Sequence, residues 1–239
     1  MKGHDCRMER RLKFSYKREE DIKYISHLDM MRLLQRAARR AKIPVACSGG
    51  FNPQPRLSIA LPLPLGVTAG HELAEIYLEG NFPPSLFVAR MREKLPRGLS
   101  LIDAEEISDR EPSLMQMIDA ALYVAFPLPG GEPLPEGILH EGVEDIKERT
   151  ELTVQRIRKK GTRRVDIRPY IIELKVTTKD DGTEAVKMFL QAGSRGGAHP
   201  GELLQMIGTV SGWKTLPHLM QIHRSALFHD CRGHWEQIV

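Results

Sequence analysis

Apolar and polar positions alternate at the start of the chain. Leu12, Phe14 and Tyr16 are separated by Arg11, Lys13, Ser15 and Lys17, the period of a half-buried strand. Ser26 is a helix-capping residue type, and the positions after it take a helical period up to about Ala41, with Pro44 just beyond. Val45–Ser48 and Leu57–Leu61 read as short strands around the turn-rich Gly49-Gly50-Phe51-Asn52-Pro53. Leu73–Leu78 reads as a further strand. Pro83 and Pro84 open a second helix, with Phe87, Met91 and Leu95 four apart and Pro96 closing it. Leu99–Ile107 completes a β-α-β-β-α-β order, with 57–78 taken as an interrupted strand or hairpin.

The second half repeats the rhythm without visible sequence identity. Leu122–Phe126 reads as a buried strand, followed by a Pro/Gly connection over 127–135. Leu139, Val143 and Ile146 put an apolar stripe on an acidic helix. Val165–Val176 is predicted as one strand region, and Asp180-Asp181-Gly182 as the hairpin turn before Val186–Leu190. A Gly-rich loop leads to a helix over about Pro200–Ile207, and Met220–Phe228 closes the unit. The expected fold is α+β: two tandem ferredoxin-like (βαββαβ) halves, residues 1–118 and 119–239, joined near Ser108–Ala121.

Composition narrows the class. The chain has 239 residues, of which 41% are hydrophobic and 28% charged, ordinary globular usage. No apolar run approaches the ~18 residues of a membrane-spanning helix, so no membrane partner is expected. The basic N-terminus lacks the apolar core of a signal peptide. Cys6, Cys47 and Cys231 are too few and scattered for a disulfide framework and suit a reducing cytoplasm, the expected location.

The net charge of +4 hides segregation. Residues 7–42 carry 12 Lys/Arg against 5 Asp/Glu, and 156–168 carry 7 basic residues against Asp166 alone. Between them, 103–151 holds 13 acidic residues and 3 basic ones, a surface that could dock a partner protein. Two basic blocks suggest a polyanion footprint, although each alone could be plain solvated surface. In the first helix, Met30, Leu33, Leu34, Ala37, Ala38 and Ala41 form one arc, while Arg32, Arg36, Arg39 and Arg40 fall opposite. Asp29 can pair with Arg32 three residues on. The remaining guanidinium forks suit phosphate.

Residues Ile25–Val67 resemble the signature of the radical-SAM-linked family, a domain of unknown function found alone or behind a radical-SAM domain. The resemblance rests on Ser26-His27-Leu28-Asp29, Arg32, Arg36-Ala37, Arg39-Arg40-Ala41, Pro44, Ser48, Gly50-Phe51-Asn52-Pro53, Pro55 and Pro62-Leu63-Pro64-Leu65-Gly66. Weaker echoes lie in Gly161–Tyr170 and His223–Leu227. Cys47 and Gly49 depart from Tyr and Gln of the family pattern, and Gln54 stands where the pattern has His. The resemblance implies partnership with a radical-SAM enzyme. The chain itself lacks the closely spaced Cys triad, C-x3-C-x2-C, that holds the cluster of such enzymes.

The candidate RNA- or anion-binding residues are therefore Arg32, Arg36, Arg39, Arg40, Phe51, Asn52, Arg56, Arg158, Lys159, Lys160, Arg163, Arg164, Arg168 and Arg195. Phe51 could stack on an unpaired base or plug the core. Arg195 lies in Gly193–Gly201, ahead of a helix N-terminus that could take phosphate, or in a merely flexible connection. His27, near Tyr24, could serve as a general base. The layout is similar to that of metal-free CRISPR repeat-RNA endonucleases, but a structural role at the helix start is the simpler alternative. His229, Cys231 and His234, with His4 and Cys6 at the other end, have ligand chemistry but no zinc-finger spacing. No cofactor is expected. The leading expectation is a non-catalytic RNA-binding accessory that presents tRNA or rRNA to a radical-SAM enzyme. The alternatives are a nuclease using His27 and a protein-docking subunit.

Overall fold

The computed structural model describes residues 9–158, 161–179, 181–193 and 195–239. They form a mixed α+β protein whose chain divides into two compact units, one ending at Met117 and one spanning Ile118–Ile238.

The first unit contains β1 (Glu9–Arg18), α1 (His27–Arg40), β2 (Leu57–Ile59), β3 (Val67–Glu79), α2 (Pro84–Arg92), β4 (Leu99–Ile107) and the short α3 (Leu114–Met117). Its strands run in the order β4-β1-β3-β2, each pair antiparallel. Alternation along β1 buries Leu12, Phe14 and Tyr16 in one core cluster with residues of α1 and α2. The Phe14 and Phe87 rings lie 5.4 Å apart. Helix α1 begins where expected, because the Ser26 side chain accepts the Asp29 N–H at 3.2 Å. It ends by backbone geometry before Pro44 is reached. Lys42 takes a left-handed φ of 54°, and the Ile43 N–H reaches back to the Ala38 carbonyl at 3.1 Å. That closure buries Ile43 beneath the last turn.

The polar face of β1 differs from the expected solvent face. Arg11 is only 3% exposed, and its guanidinium pairs with Glu75 at 2.6 Å. It also donates to the carbonyls of Ser108, Glu111 and Pro112. Glu75 accepts the Leu114 N–H at 2.6 Å as well. The segment after β4 thus folds over this face and withdraws Arg11 from water. Alternation in sequence cannot reveal a cover supplied a hundred residues later. Val45–Ser48 also fails to form a strand; it contributes only isolated bridges at Val45 and Cys47.

The second unit contains β5 (Ala120–Pro127), α4 (Ile138–Glu148), β6 (Thr153–Arg158), β7 (Gly161–Asp166), β8 (Ile171–Thr178), β9 (Glu184–Gln191), α5 (Pro200–Val210), α6 (Leu216–Leu219), β10 (Met220–Cys231) and β11 (His234–Ile238). The order is β10-β5-β9-β8, again antiparallel, with β11 added on β10. Leu139, Val143 and Ile146 of α4 are buried, as are Leu203, Leu204 and Ile207 of α5. The two helices approach closely at Gly142, where a Cβ would lie 2.7 Å from the Ile207 side chain.

Two elements depart from expectation. Residues 165–176 are not one strand. Asp166 accepts the N–H groups of Leu152 and Arg168, and a 3-10 turn over Arg168–Tyr170 separates β7 from β8. Strands β6 and β7 pair as a separate two-stranded ribbon. At the other end, β10 runs past Phe228 to a turn at Arg232 and Gly233, where the Gly233 N–H donates to Asp230 at 2.6 Å. Strand β11 then returns along β10.

The buried Arg11–Glu75 pair yields the first prediction. Glu75→Ala strands a desolvated guanidinium and the Leu114 N–H, so unfolding stability should fall by about 3–5 kcal/mol. Urea denaturation followed by circular dichroism measures this. A loss under ~1 kcal/mol, the size of an exposed pair, would count against the pair's structural role.

A candidate nucleic-acid interface

The approach to α1 is built around Arg18, which is 3% exposed. Its guanidinium donates to the carbonyls of Ile22, Lys23 and Ile25 at 3.3, 2.6 and 2.7 Å. These bonds hold the turn that delivers Ser26 to the helix start. Tyr24 leaves this turn 74% exposed, and His27 opens α1 partly exposed. Among the described residues no hydrogen bond to the His27 side chain is formed.

All four arginines of α1 reach the exposed face, but they differ in their partners. Arg32 pairs with Asp29 at 3.1 Å. The Ser26 hydroxyl and the Arg32 guanidinium hold the Asp29 carboxyl below its usual range. Arg40 donates to the Lys94 carbonyl at 2.8 Å. Arg36 and Arg39 have no ion pair among the described residues.

Beyond α1 the chain forms a tight hairpin over residues 46–56. Ala46 donates to the Tyr77 carbonyl, Arg56 to Ala46, Ser48 to Gln54 and Tyr77 to Arg56, all at 2.8–3.0 Å. The base of the hairpin is therefore fastened to β3. Arg56 belongs to that fastening: its guanidinium stacks 3.5 Å from the Tyr77 ring centroid and pairs with Glu9. At the tip, Phe51 is fully exposed, and Asn52 accepts from the Gln54 amide at 3.2 Å. Of the two roles open to Phe51, the core position is not the one it occupies.

In the second unit the ribbon presents Arg163 and Arg164 to solvent on its two faces, with Ile157 also exposed. Arg156 faces Arg163 across the ribbon but is held by Glu202 through two bonds of 2.7 Å and by the Gly197 carbonyl. Lys159, Lys160 and the Arg158 side chain lie outside the described residues. Arg168 donates to the carbonyls of Arg149 and Lys147, a cation at the end of α4.

The Gly-rich loop is already supplied with internal partners. Glu202 accepts the His199 N–H within a capping box at the start of α5, so a carboxylate occupies the end where phosphate was considered. Arg195 pairs with Asp119 at 2.5 Å. Asp119 also accepts His229 Nδ1 at 2.8 Å and the Asp230 N–H at 3.0 Å. This anchor had no signal in the sequence, since its members lie 76 to 111 residues from Asp119. Cys231 faces His234 across the terminal turn. A hydrogen bond with Glu236 raises the Cys231 thiol above its usual range and so disfavours the thiolate that binds metal. His4 and Cys6 lie outside the described residues. Among those described, no group of three or more His, Cys, Asp or Glu side chains is placed to hold a metal ion, and no helix is long and apolar enough to cross a membrane.

The geometry defines an α+β protein with a basic helix, a fastened aromatic hairpin and a basic ribbon. The chain belongs to the family described as an uncharacterized protein conserved in bacteria (DUF2344), whose model matches residues 11–200. That description assigns no radical-SAM association. No curated protein matches the chain. A solved structure described as a "putative glycine cleavage system transcriptional repressor" covers 90% of this chain and 95% of its own, at 8% identity and a TM-score of 0.23. A likeness at that score carries no argument.

Asp119 generates the second prediction. Burial pushes its carboxyl up, but the Asp230 N–H, Arg195 and His229 more than reverse this, leaving it below the usual Asp range. Its ionised form therefore contributes stability fully above the ordinary Asp pKa of about 3.9, and the contribution is lost as pH falls through the lower folded value. Asp119→Asn should flatten the loss of stability between about pH 5 and pH 2. Denaturation curves across that range measure it, and parallel curves for variant and parent would contradict it.

Proposed function

We propose that the protein is a non-catalytic RNA-binding accessory that presents tRNA or rRNA to a radical-SAM modifying enzyme. Phe51 is the single observation that carries this. A fully exposed aromatic at the tip of a fastened hairpin is costly in water and ready for base stacking. Arg36 and Arg39, on the helix that leads into the same hairpin, supply cations for phosphate. Arg163 and Arg164 give the second unit a basic surface of its own. The radical-SAM partner rests on the resemblance of residues 25–67 alone. We read both units as ferredoxin-like, because their four principal strands share the order fourth, first, third, second.

Binding should weaken steeply with salt as phosphate contacts release counterions. Arg36→Ala and Arg164→Ala should each lower affinity across sequences and reduce the salt slope by about one unit, with little change in melting temperature. Phe51→Ala should lower affinity for single-stranded RNA alone, by ~1–3 kcal/mol. Filter binding over a salt series decides between outcomes. A flat salt response, or unchanged affinity in both arginine variants, would favour a protein-docking role.

The same preparation should leave a small RNA intact in EDTA. His27 lacks a neighbouring acid or base bonded to it among the described residues. Cleavage in EDTA that disappears in a folded His27→Ala variant would replace the accessory assignment with a nuclease.

A further inference from the structure

A cleft of about 390 Å³ opens in the first unit between the C-terminal half of α1 and the base of the 46–56 hairpin. Gln35, Arg39, Ile43, Val45, Cys47 and Pro55 line it. The volume lies within the roughly 300–1,000 Å³ of small-molecule sites. Ile43, Val45 and Pro55 make an apolar wall. Gln35 and Arg39 stand one helical turn apart on α1. Neither the Gln35 amide nor the Arg39 guanidinium has a hydrogen-bond partner among the described residues. The wall is held in place by the bonds from Ala46 and Arg56 and by the Ile43–Ala38 closure of the helix. A site prepared in this way loses little freedom when it is filled.

We infer that this cleft holds one unpaired adenine nucleotide of a bound RNA. The inference rests on the RNA-binding assignment above and names what it selects. The apolar wall takes the face of the base. A glutamine amide carries a donor and an acceptor side by side, which match adenine N7 and N6 in a bidentate pair. Arg39 neutralises the attached phosphate. An acidic peptide would use Arg39 but leave the Gln35 amide and the apolar wall without a matching group.

Cys47 provides the readout, because its thiol is free, exposed and part of the lining. The full chain is treated with iodoacetamide, with and without a short oligoadenylate, and alkylation of Cys47 is followed by peptide mapping. Cys231, in the other unit, is the internal control. At ligand ten times Kd, the Cys47 rate should fall about tenfold, in proportion to the free fraction, and the Cys231 rate should not change. Oligouridylate at equal concentration should protect less. Gln35→Leu should equalise protection by the two oligomers.

Oligoadenylate that binds on filters yet leaves Cys47 alkylated at the free rate overturns the cleft and spares the RNA-binding assignment. Equal protection by oligouridylate in the parent protein overturns the choice of adenine. Protection by polyglutamate as strong as by oligoadenylate overturns the nucleotide in favour of an acidic peptide. If neither oligomer is retained on filters, the RNA-binding assignment itself fails.

Discussion

A guanidinium removed from water must give its N–H groups to acceptors, because an unpaired buried charge costs several kcal/mol. Arg18 meets that demand with three main-chain carbonyls placed just before α1. The consequence is local order with a long reach. The turn that supplies these carbonyls has one geometry, so Ser26 arrives where it can cap the helix and Asp29 where it can receive Arg32. The helix then sets the direction of Arg36 and Arg39, and its left-handed closure at Lys42 sets where the following hairpin begins. The Gly66 N–H bonds the Lys23 carbonyl at 2.8 Å, and its φ of 78° is one that only glycine takes without strain. The exposed aromatics and cations of the first unit thus depend on a side chain that is itself out of sight.

Charge in the sequence is a poor guide to charge available for a partner. The two basic blocks contain arginines of three kinds. Arg11 and Arg18 are structural and buried. Arg10, Arg32, Arg40, Arg156 and Arg168 are at the surface but committed to carboxylates or carbonyls, as is Arg56, beyond the first block, to a ring and Glu9. Arg36, Arg39, Arg163 and Arg164 are what is left among the described residues. Exposed pairs such as Arg32–Asp29 contribute little to stability and open at small cost. Arg156 is different, since its bonds to Glu202 and Gly197 seat the ribbon on the start of α5. Without Glu202, Arg156 and Arg163 would face each other as like charges across a strand pair.

Most elements of the fold were legible because local pattern and tertiary packing agree. The alternation of Leu12, Phe14 and Tyr16, the arc of α1, and the stripe of Leu139, Val143 and Ile146 each end in the core. The Ser26 cap and the Asp29–Arg32 pair were legible for the same reason: each partner is three residues away. What could not be read depends on long-range partners. Arg11 looked like a solvent residue until the segment after β4 covered it. Arg195 looked like a phosphate ligand until Asp119 met it. The break between β7 and β8 did leave a trace, since Asp166 and Pro169 are both turn formers within the run taken as one strand. The Asp230-Cys-Arg-Gly233 turn before β11 was equally visible in composition.

The two units place their exposed projections at the same point of the chain path. In the first, the Phe51 hairpin lies between the first helix and the second strand of the order. In the second, the β6–β7 ribbon lies between α4 and β8, which is the same connection. This connection leaves the helix layer and returns to an edge strand, so an insertion there displaces no buried backbone hydrogen bond. Each insertion is then fastened by an arginine inside it, Arg56 against Tyr77 and Glu9, Arg156 against Glu202. A fastened projection keeps its exposed side chains at fixed positions, which lowers the entropy lost on binding. The shared scaffold explains why the units have similar strand orders without similar sequences. The core constrains only apolar volume and period, while the insertions carry distinct surfaces: an aromatic and a cleft in one, paired basic strands in the other.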